Sequence, residues 1–493
     1  MEQKRSQFRI ILGLSLLVLS AVIWLFPSDV VELVVRQKEV VLGRYSRGHF
    51  GSLFVLTILL WFAAGFSFSK LRGVELFASA LMMFVSVFGS LFAVLLVSGM
   101  LSMPRYIETS VETAGGEELQ GIVRHRPPNE FFELQFRDAP ENFRSYPSLA
   151  PGYEPVDISL TIDQYGFRNR NVGERYSIVA VGDSFTAGSH VSDEQAWTEL
   201  LAGKLQTPIY NLGVSGSDPQ TYLNNFAIFG SHFEPEIVLF MVYEGNDFRY
   251  SPPREFDHET GREKLRLSEK MENWMKASPV TVGLRRFSSE VLEKIGSDNP
   301  IPAYETLMGW MPVKAGSVEA MHYYSFKPKR LAYLMRDEDD FRQSGDWLGA
   351  EQAFLKMHAL SKKQNFRLIM IYVPSKPHVV MPLIADSIEP EQVRTFVAYR
   401  LSKKKRDSLP EAEAFKQQLY AQIDSQENVF MQFCQKQGIE CISTTRPLQK
   451  ATAQGVQTYY TYDQHWTPEG NRVVAELLAD YLKTQAAEGR VEH

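Results

Sequence analysis

The stretch Ile178–Gly188, IVAVGDSFTAG, constrains the fold more than any other part of the chain. Four apolar residues run into Gly182, Asp183 and Ser184, and a polar segment able to open a helix follows. A run this short and this apolar reads as a strand buried on both faces. Gly-Asp-Ser then supplies a tight turn and a carboxylate suited to capping a helix. A serine placed there sits at the carboxyl end of a strand, with backbone N–H groups beside it. Such a place suits a nucleophile whose intermediate carries an oxyanion.

From Tyr176 onward, strands and helices alternate. The expected strands are Ser177–Val181, Pro208–Leu212, Glu236–Tyr243, Arg367–Val373 and Ile439–Ser443. Amphipathic segments fall at Glu194–Leu205, Gly349–Gln364 and Glu411–Gln437. The alternation predicts an α/β fold whose parallel sheet is covered on both faces and whose site lies at the carboxyl ends of the strands. The interval Arg249–Gly349 does not fit a simple crossover. With Trp274, Trp310, Tyr323 and Tyr324, it reads as a partly helical insertion near the rim of the site. Ile158–Ile162 alternates like an edge strand. Between Pro104 and about Ala150, a polar, Gly-containing piece and the prolines 127, 128, 140, 147 and 151 read as a connector with little regular structure.

The N-terminus differs from the rest. Ile10–Phe26, Gly51–Ser69 and Leu76–Met103 are uncharged, each near or above the roughly 20 residues that cross a bilayer. No small-residue cleavage site follows the first run, so a signal peptide is disfavoured and three transmembrane helices are expected. Phe26–Phe50 is expected along the membrane surface. Lys4, Arg5, Arg9, Lys70 and Arg72 stand against Arg36, Lys38, Arg44 and Arg47. This small bias places the N-terminus in the cytoplasm and everything after Met103 outside. The 493 residues suffice for two or three domains. The net charge of −6 is mild and spread out, which gives no case for a nucleic-acid partner. Cys434 and Cys441 can pair in an oxidising compartment or remain two core thiols.

Polar residues gather after the expected strands. The second leads into Asn211-Leu-Gly213-Val-Ser-Gly216, where small residues let a backbone N–H approach a ligand. The third leads into Gly245-Asn246-Asp247. Asp463-Gln464-His465-Trp466 precedes the apolar helix Val473–Leu482. There the histidine can take a serine proton while the carboxylate orients the imidazole. Each motif alone is more often a turn, a cap or a surface residue. Their conjunction at strand ends points to one cleft.

In this order, Gly182-Asp183-Ser184, Gly216, Gly245-Asn246-Asp247, and Asp463 with His465 resemble the SGNH (GDSL-type) hydrolase superfamily over roughly residues 158–482. The resemblance implies a three-layer α/β/α fold with a five-stranded parallel sheet. It implies Ser184 as nucleophile, His465 as base and Asp463 as its orienting acid. The oxyanion hole would comprise the Ser184 and Gly216 N–H groups with the Asn246 side chain. Most of the family places two residues between acid and histidine, whereas here only Gln464 intervenes. The Asp-x-His-Trp form, with Val373-Pro-Ser-Lys376, is similar to the SGNH-like proteins of alginate O-acetylation. That likeness implies acyl chemistry on carbohydrate outside the cytoplasmic membrane, either O-acetyl transfer to an exported polysaccharide or hydrolysis. A membrane-bound O-acyltransferase is its implied acyl source. A non-catalytic glycan-binding or assembly module is the alternative of another class.

The expected organisation is a membrane domain over 1–104, a connector over 105–157 and the catalytic domain over 158–485, interrupted at about 249–349. Lys376 is a candidate substrate contact or a surface lysine. Trp466 walls the acyl pocket or packs under the last helix. Lys403–Arg406 binds acidic glycan or lipid headgroups, or is a solvated helix end. The ten histidines are scattered without metal-site spacing, and no nucleotide-binding loop is present, so neither metal nor cofactor is expected.

Overall fold

The computed structural model describes residues 2–25, 40–41, 45–68, 75, 82, 107–110, 122–138, 150–170, 172–248, 310–398 and 406–488. Three two-stranded antiparallel pairs come first: Val40–Val41 (β1) with Tyr45–Ser46 (β2), Ile107–Ser110 (β3) with Ile122–His125 (β4), and Phe131–Phe136 (β5) with Val156–Thr161 (β6). The central sheet contains Ile178–Val181 (β7), Ile209–Asn211 (β8) and Ile237–Tyr243 (β9). A separate hairpin, Met311–Gly316 (β10) with Met321–Phe326 (β11), follows before Arg367–Val373 (β12) and Glu440–Ser443 (β13) complete the sheet. Its order is β13-β12-β9-β7-β8, and every pairing is parallel. The five expected strands are therefore these five, within one residue at each end.

Period-two alternation divides the sheet side chains between two cores. Ile178, Ala180, Leu239, Met241, Ile369 and Ile371 belong to one cluster. Val179, Val181, Val238, Phe240, Leu368 and Met370 belong to the other. The first face is covered by helix Pro468–Glu488 through Val474 and Leu478, and by helix Trp197–Leu205 through Trp197 and Leu201. The second is covered by helices Gly345–Gln364 and Ser425–Gln437, through Phe354, Met357, Phe430 and Phe433. Gly345–Gln364 starts four residues before its expected start because the Ser344 hydroxyl caps Trp347 N–H. It stops where Asn365 adopts a left-handed conformation, φ 57°.

The expected single amphipathic segment Glu411–Gln437 is two helices, Ala412–Ala421 and Ser425–Gln437. Phe415 and Leu419 pack on one face of the sheet, whereas Val429, Phe430 and Phe433 pack on the other. No straight helix serves both layers. Cys434 and Cys441 are disulfide-bonded, tying the second helix to β13.

The connector expectation is corrected in its described part. β3, β4 and β5 lie within it, and β5 pairs with the expected edge strand as β6. Pro127 and Pro128 fall between β4 and β5, where no ladder hydrogen bond is lost. Of the expected insertion, residues 249–309, with Trp274, lie outside the described residues. The remainder is the β10–β11 hairpin followed by helices Pro328–Tyr333 and Glu338–Arg342. Of the basic run, 403–405 also lie outside.

The first two uncharged runs fall on helices Glu2–Val22 and Arg47–Phe68. Trp24 Nε1 donates to Thr57 Oγ1 and Trp61 Nε1 to Ser20 Oγ, so the two helices pack together. Among the described residues, no helix is long and apolar enough to cross a membrane, so the structure does not support the expected spans. Most of the third run, Leu76–Met103, lies outside the described residues.

A buried charge cluster fixes the loop after β9. The Glu244 carboxylate accepts from Tyr372 Oη at 2.8 Å and Ser375 Oγ at 2.8 Å, and meets His378 Nδ1 at 2.6 Å. His378 Nε2 lies 2.9 Å from Asp424 Oδ1. Burial works to lower the His378 pKa, but the Glu244 charge and the two carboxylate hydrogen bonds outweigh it, and it rises to about 10. A raised folded-state pKa gives stability that is complete below the unfolded value of 6.5 and lost as pH climbs through about 10. The contribution of His378 to stability should therefore fade from neutral pH toward pH 10. The gap between the wild type and His378→Gln should be about 3–5 kcal/mol at neutral pH and close toward pH 10, read by thermal unfolding of both proteins across a pH series.

Candidate active site

β7 delivers the chain to Gly182, where an added Cβ would sit 2.0 Å from Thr186 Oγ1. Only glycine allows the tight turn that follows. Asp183 is buried, and its Oδ1 accepts from Phe185 N–H at 2.9 Å. Ala187 N–H reaches Asp183 O at 2.9 Å and Ser189 N–H reaches Ser184 O at 3.0 Å. The expected helix opening at the serine is corrected: residues 184–190 form consecutive turns, and the next α-helix starts at Trp197. The Asp183 carboxylate caps a turn rather than a helix.

Three side chains from distant parts of the chain meet in a line. Ser184 Oγ lies 2.7 Å from His465 Nε2, and His465 Nδ1 lies 2.5 Å from Asp463 Oδ1. With one intervening residue, Asp463 Oδ1 also accepts the His465 backbone N–H at 2.9 Å. Acid and imidazole are thus locked by a local turn as well as by their charges. Burial disfavours the Asp463 charge, but His465 and His190 outweigh it and hold the carboxyl well below the usual range. Burial also opposes the His465 charge, yet Asp463 and, behind it, Asp183 raise the imidazole above 6.5.

Gly216 stands on the rim of the same cleft with φ +77°, a conformation glycine adopts freely. The loop carrying it is strapped to the serine turn. Val214 N–H donates to Gly182 O, and Asn211 Nδ2 donates to Thr186 O. Gly213 approaches so closely that a Cβ would meet Ala187 N at 2.2 Å. Among the described residues, no protein acceptor takes the Ser184 or Gly216 backbone N–H. Asn246 Nδ2 lies 3.2 Å from Asp183 Oδ2, beside the serine turn.

The structure bears on both candidate substrate contacts. Lys376 is fully buried, and its Nζ donates to the carbonyls of Tyr460, Thr461 and Asp463. It is neither a surface lysine nor part of the cleft lining. Trp466 is also buried, with its ring edge-on to Phe185 at 4.8 Å, in the cluster under the last helix. It packs behind the histidine instead of walling a pocket.

Residues unmarked by any motif complete the site. A cleft of about 670 Å³ lies over Ser184, Gly216 and His465. One wall is Phe132, Leu134, Ile158 and Leu160 of the β5–β6 hairpin. Register explains why: Phe132 faces Leu160 and Leu134 faces Ile158, so alternation turns one apolar face to the cleft. Phe132, Leu134 and Phe136 carried that period-two signal within the supposed connector. His190 has φ +65° and stacks on Phe136 at 4.1 Å, with Nε2 3.5 Å from Asp463 Oδ2. Asp138, also in the supposed connector, accepts the N–H groups of Thr461, Tyr462 and Asp463. Neither His190 nor Asp138 had a sequence signal, because each acts on a partner hundreds of residues away.

Among the described residues, two groups bring metal-ligating atoms together, His190–Asp463–His465 and His378–Asp424–Glu427. In both, the carboxylates and imidazoles already bond to one another, which accounts for the arrangement without an ion.

Only a neutral His465 accepts the serine proton. The acid limb of kcat/KM on an ester should therefore turn at a pH above 6.5, read from a pH–rate profile. Asp463→Asn should lower kcat by about 10³- to 10⁴-fold through loss of the imidazole tautomer, measured in the same assay.

Residues 402–492 match the family model of the SGNH hydrolase-like domain of the acetyltransferase AlgX. No curated protein matches the sequence. Solved structures similar to the chain include an acetyl xylan esterase, AlAXEase, at 14% identity and TM-score 0.28, covering 62% of this chain and 98% of that one. A GDSL-like lipase from Bacteroides thetaiotaomicron aligns at 13% identity and TM-score 0.26, covering 64% and 92%. A carbohydrate esterase with divergent catalytic and non-catalytic binding functions aligns at 11% identity and TM-score 0.27, covering 78% and 98%. Superpositions this loose say nothing of the chemistry. Residues 402–492, which include Asp463 and His465, thus match an SGNH hydrolase-like acetyltransferase domain, and the parallel sheet brings Ser184 to the same histidine.

Proposed function

We propose that the protein is a membrane-anchored, extracytoplasmic serine enzyme that handles O-acyl groups on carbohydrate, transferring acetyl to an exported polysaccharide. The observation that carries this reading is the Ser184–His465–Asp463 line at the floor of an open cleft. Ser184 Oγ attacks the ester carbonyl while His465 Nε2 takes its proton. The resulting oxyanion is met by the Ser184 and Gly216 N–H groups and by the second amide hydrogen of Asn246. His465 returns the proton to the departing oxygen, leaving the acyl group on Ser184. A sugar hydroxyl, deprotonated by His465, then takes the acyl group and releases the serine. Water in its place gives an esterase by the same steps.

The AlgX-type match favours transfer, and a membrane-bound O-acyltransferase is the proposed acyl source. The helices Glu2–Val22 and Arg47–Phe68 favour an anchor, because Ile11, Val18, Phe54, Leu59 and Trp61 point outward. Residues 1–104 form the proposed membrane domain. The Cys434–Cys441 disulfide favours an oxidising compartment outside the cytoplasm.

The test uses the full chain with 4-nitrophenyl acetate, following nitrophenolate release and intact mass. An acetyl adduct or turnover is expected, with a loss of about 10³-fold or more in Ser184→Ala. Added oligosaccharide that gains acetyl marks a transferase; release of acetate alone marks an esterase. A folded protein with neither adduct nor turnover would instead be the non-catalytic glycan-binding module.

A further inference from the structure

We propose that the Lys376 ammonium is a positioning residue for Asp463 and His465, and that its charge holds the loop carrying them in working register. The inference rests on the reading of Ser184 and His465 as the reacting pair. Lys376 follows β12 and is fully buried. Its Nζ lies 2.9 Å from Tyr460 O, 2.6 Å from Thr461 O and 2.8 Å from Asp463 O. An ammonium has three N–H donors and no lone pair, so three carbonyls satisfy it completely. A neutral amine has two donors and a lone pair. Deprotonation therefore leaves one buried carbonyl facing that lone pair, and the cage no longer closes.

The opposite side of the same segment is held by an anion. Asp138 accepts Thr461 N–H at 2.7 Å, Tyr462 N–H at 3.1 Å and Asp463 N–H at 2.9 Å. Residues 460–463 belong to no helix or strand. The β11 strand adds two bonds, from Ser325 N–H to Thr461 O and from Thr461 Oγ1 to Tyr323 O. Asp463 is the last residue in the grip of both charges, and its carboxylate is the one that orients His465. Lys376 touches neither Ser184 nor the cleft, so it acts on the chemistry through Asp463 alone.

Charged groups face Lys376 from several elements: Asp138 from the segment after β5, Asp463 from its own loop and Lys327 from the segment after β11. Burial presses the Lys376 pKa down to about 7, while Asp138 and Asp463 work to raise it and Lys327 to lower it. The cage therefore loses its third hydrogen bond on the alkaline side of neutrality. His465 closes activity on the acid side and Lys376 on the alkaline side.

The experiment compares the full chain with Lys376→Met and Asp138→Asn, measuring kcat and KM for 4-nitrophenyl acetate against pH with the Ser184→Ala background subtracted. The wild type should give a bell. Lys376→Met should lose about 10²-fold in kcat with KM nearly unchanged, and its alkaline limb should vanish. Asp138→Asn removes a charge that favours the ammonium, so its alkaline limb should move to lower pH. If Lys376→Met does not fold, that displacement decides alone. Amide hydrogen exchange of peptides spanning 458–466 is read in parallel, and needs no activity. The loop should be protected below neutrality and open above it in the wild type, and open throughout in Lys376→Met. An alkaline limb that is absent, or identical in wild type and Asp138→Asn, overturns the proposal, as does loop exchange indifferent to pH. Titrating loop exchange without any Ser184-dependent turnover would sink the acyl-enzyme reading instead.

Discussion

A parallel sheet covered on both faces tolerates polar side chains only at its ends, and this constraint places everything else in the molecule. β7 and β9 are apolar along their length, and so is β12 after Arg367, with Val179, Val242 and Ile371 fully enclosed. Their polar residues appear as each strand stops: Asp183 and Ser184 after β7, Glu244 and Asn246 after β9, Ser375 and Lys376 after β12. Because the strands are parallel, those stops share one edge. The edge is crowded with ionisable groups, and Glu244 and Lys376 are each countered by a neighbour from another element.

Two such pairings carry the site. Glu244 with His378 sets the loop that presents Asn246, and Lys376 with Asp138 sets the loop that presents Asp463. Neither pair contacts Ser184. They hold backbone, so that the short contacts of His465 to Ser184 and to Asp463 form without rearrangement. Arg168 plays the same part beneath the serine turn: its guanidinium takes the carbonyls of Ala187, Gly188 and Val191 and pairs with Asp193. A site built this way couples stability to geometry, because buried cations and anions keep the loops carrying Ser184, Asp463 and His465 in place.

The segment before the sheet is part of the site. Its composition, rich in proline and polar residues, suits a linker. Yet Asp138 reaches the acid loop, Phe136 stacks on His190, and the apolar face of the β5–β6 hairpin walls the cleft. A catalytic unit starting at residue 158 would lack all three.

The sequence by itself determined the sheet and the serine, acid and histidine that meet at its edge. Short apolar runs between amphipathic segments name the five strands, since a doubly buried strand admits little else. Ser184, Asp463 and His465 stand in local contexts, a strand end and an acid two residues from a histidine, that carry their chemistry with them. Tertiary structure alone decided what holds those residues. Lys376 reads as a surface lysine until the chain closes over it, because burial depends on segments far apart in sequence. The break at residues 422–424 was hidden in a continuous amphipathic pattern, because only packing shows that the two halves serve opposite faces of the sheet. His190 and Asp138 gain their roles from partners 273 and 325 residues away, a separation that no local pattern records.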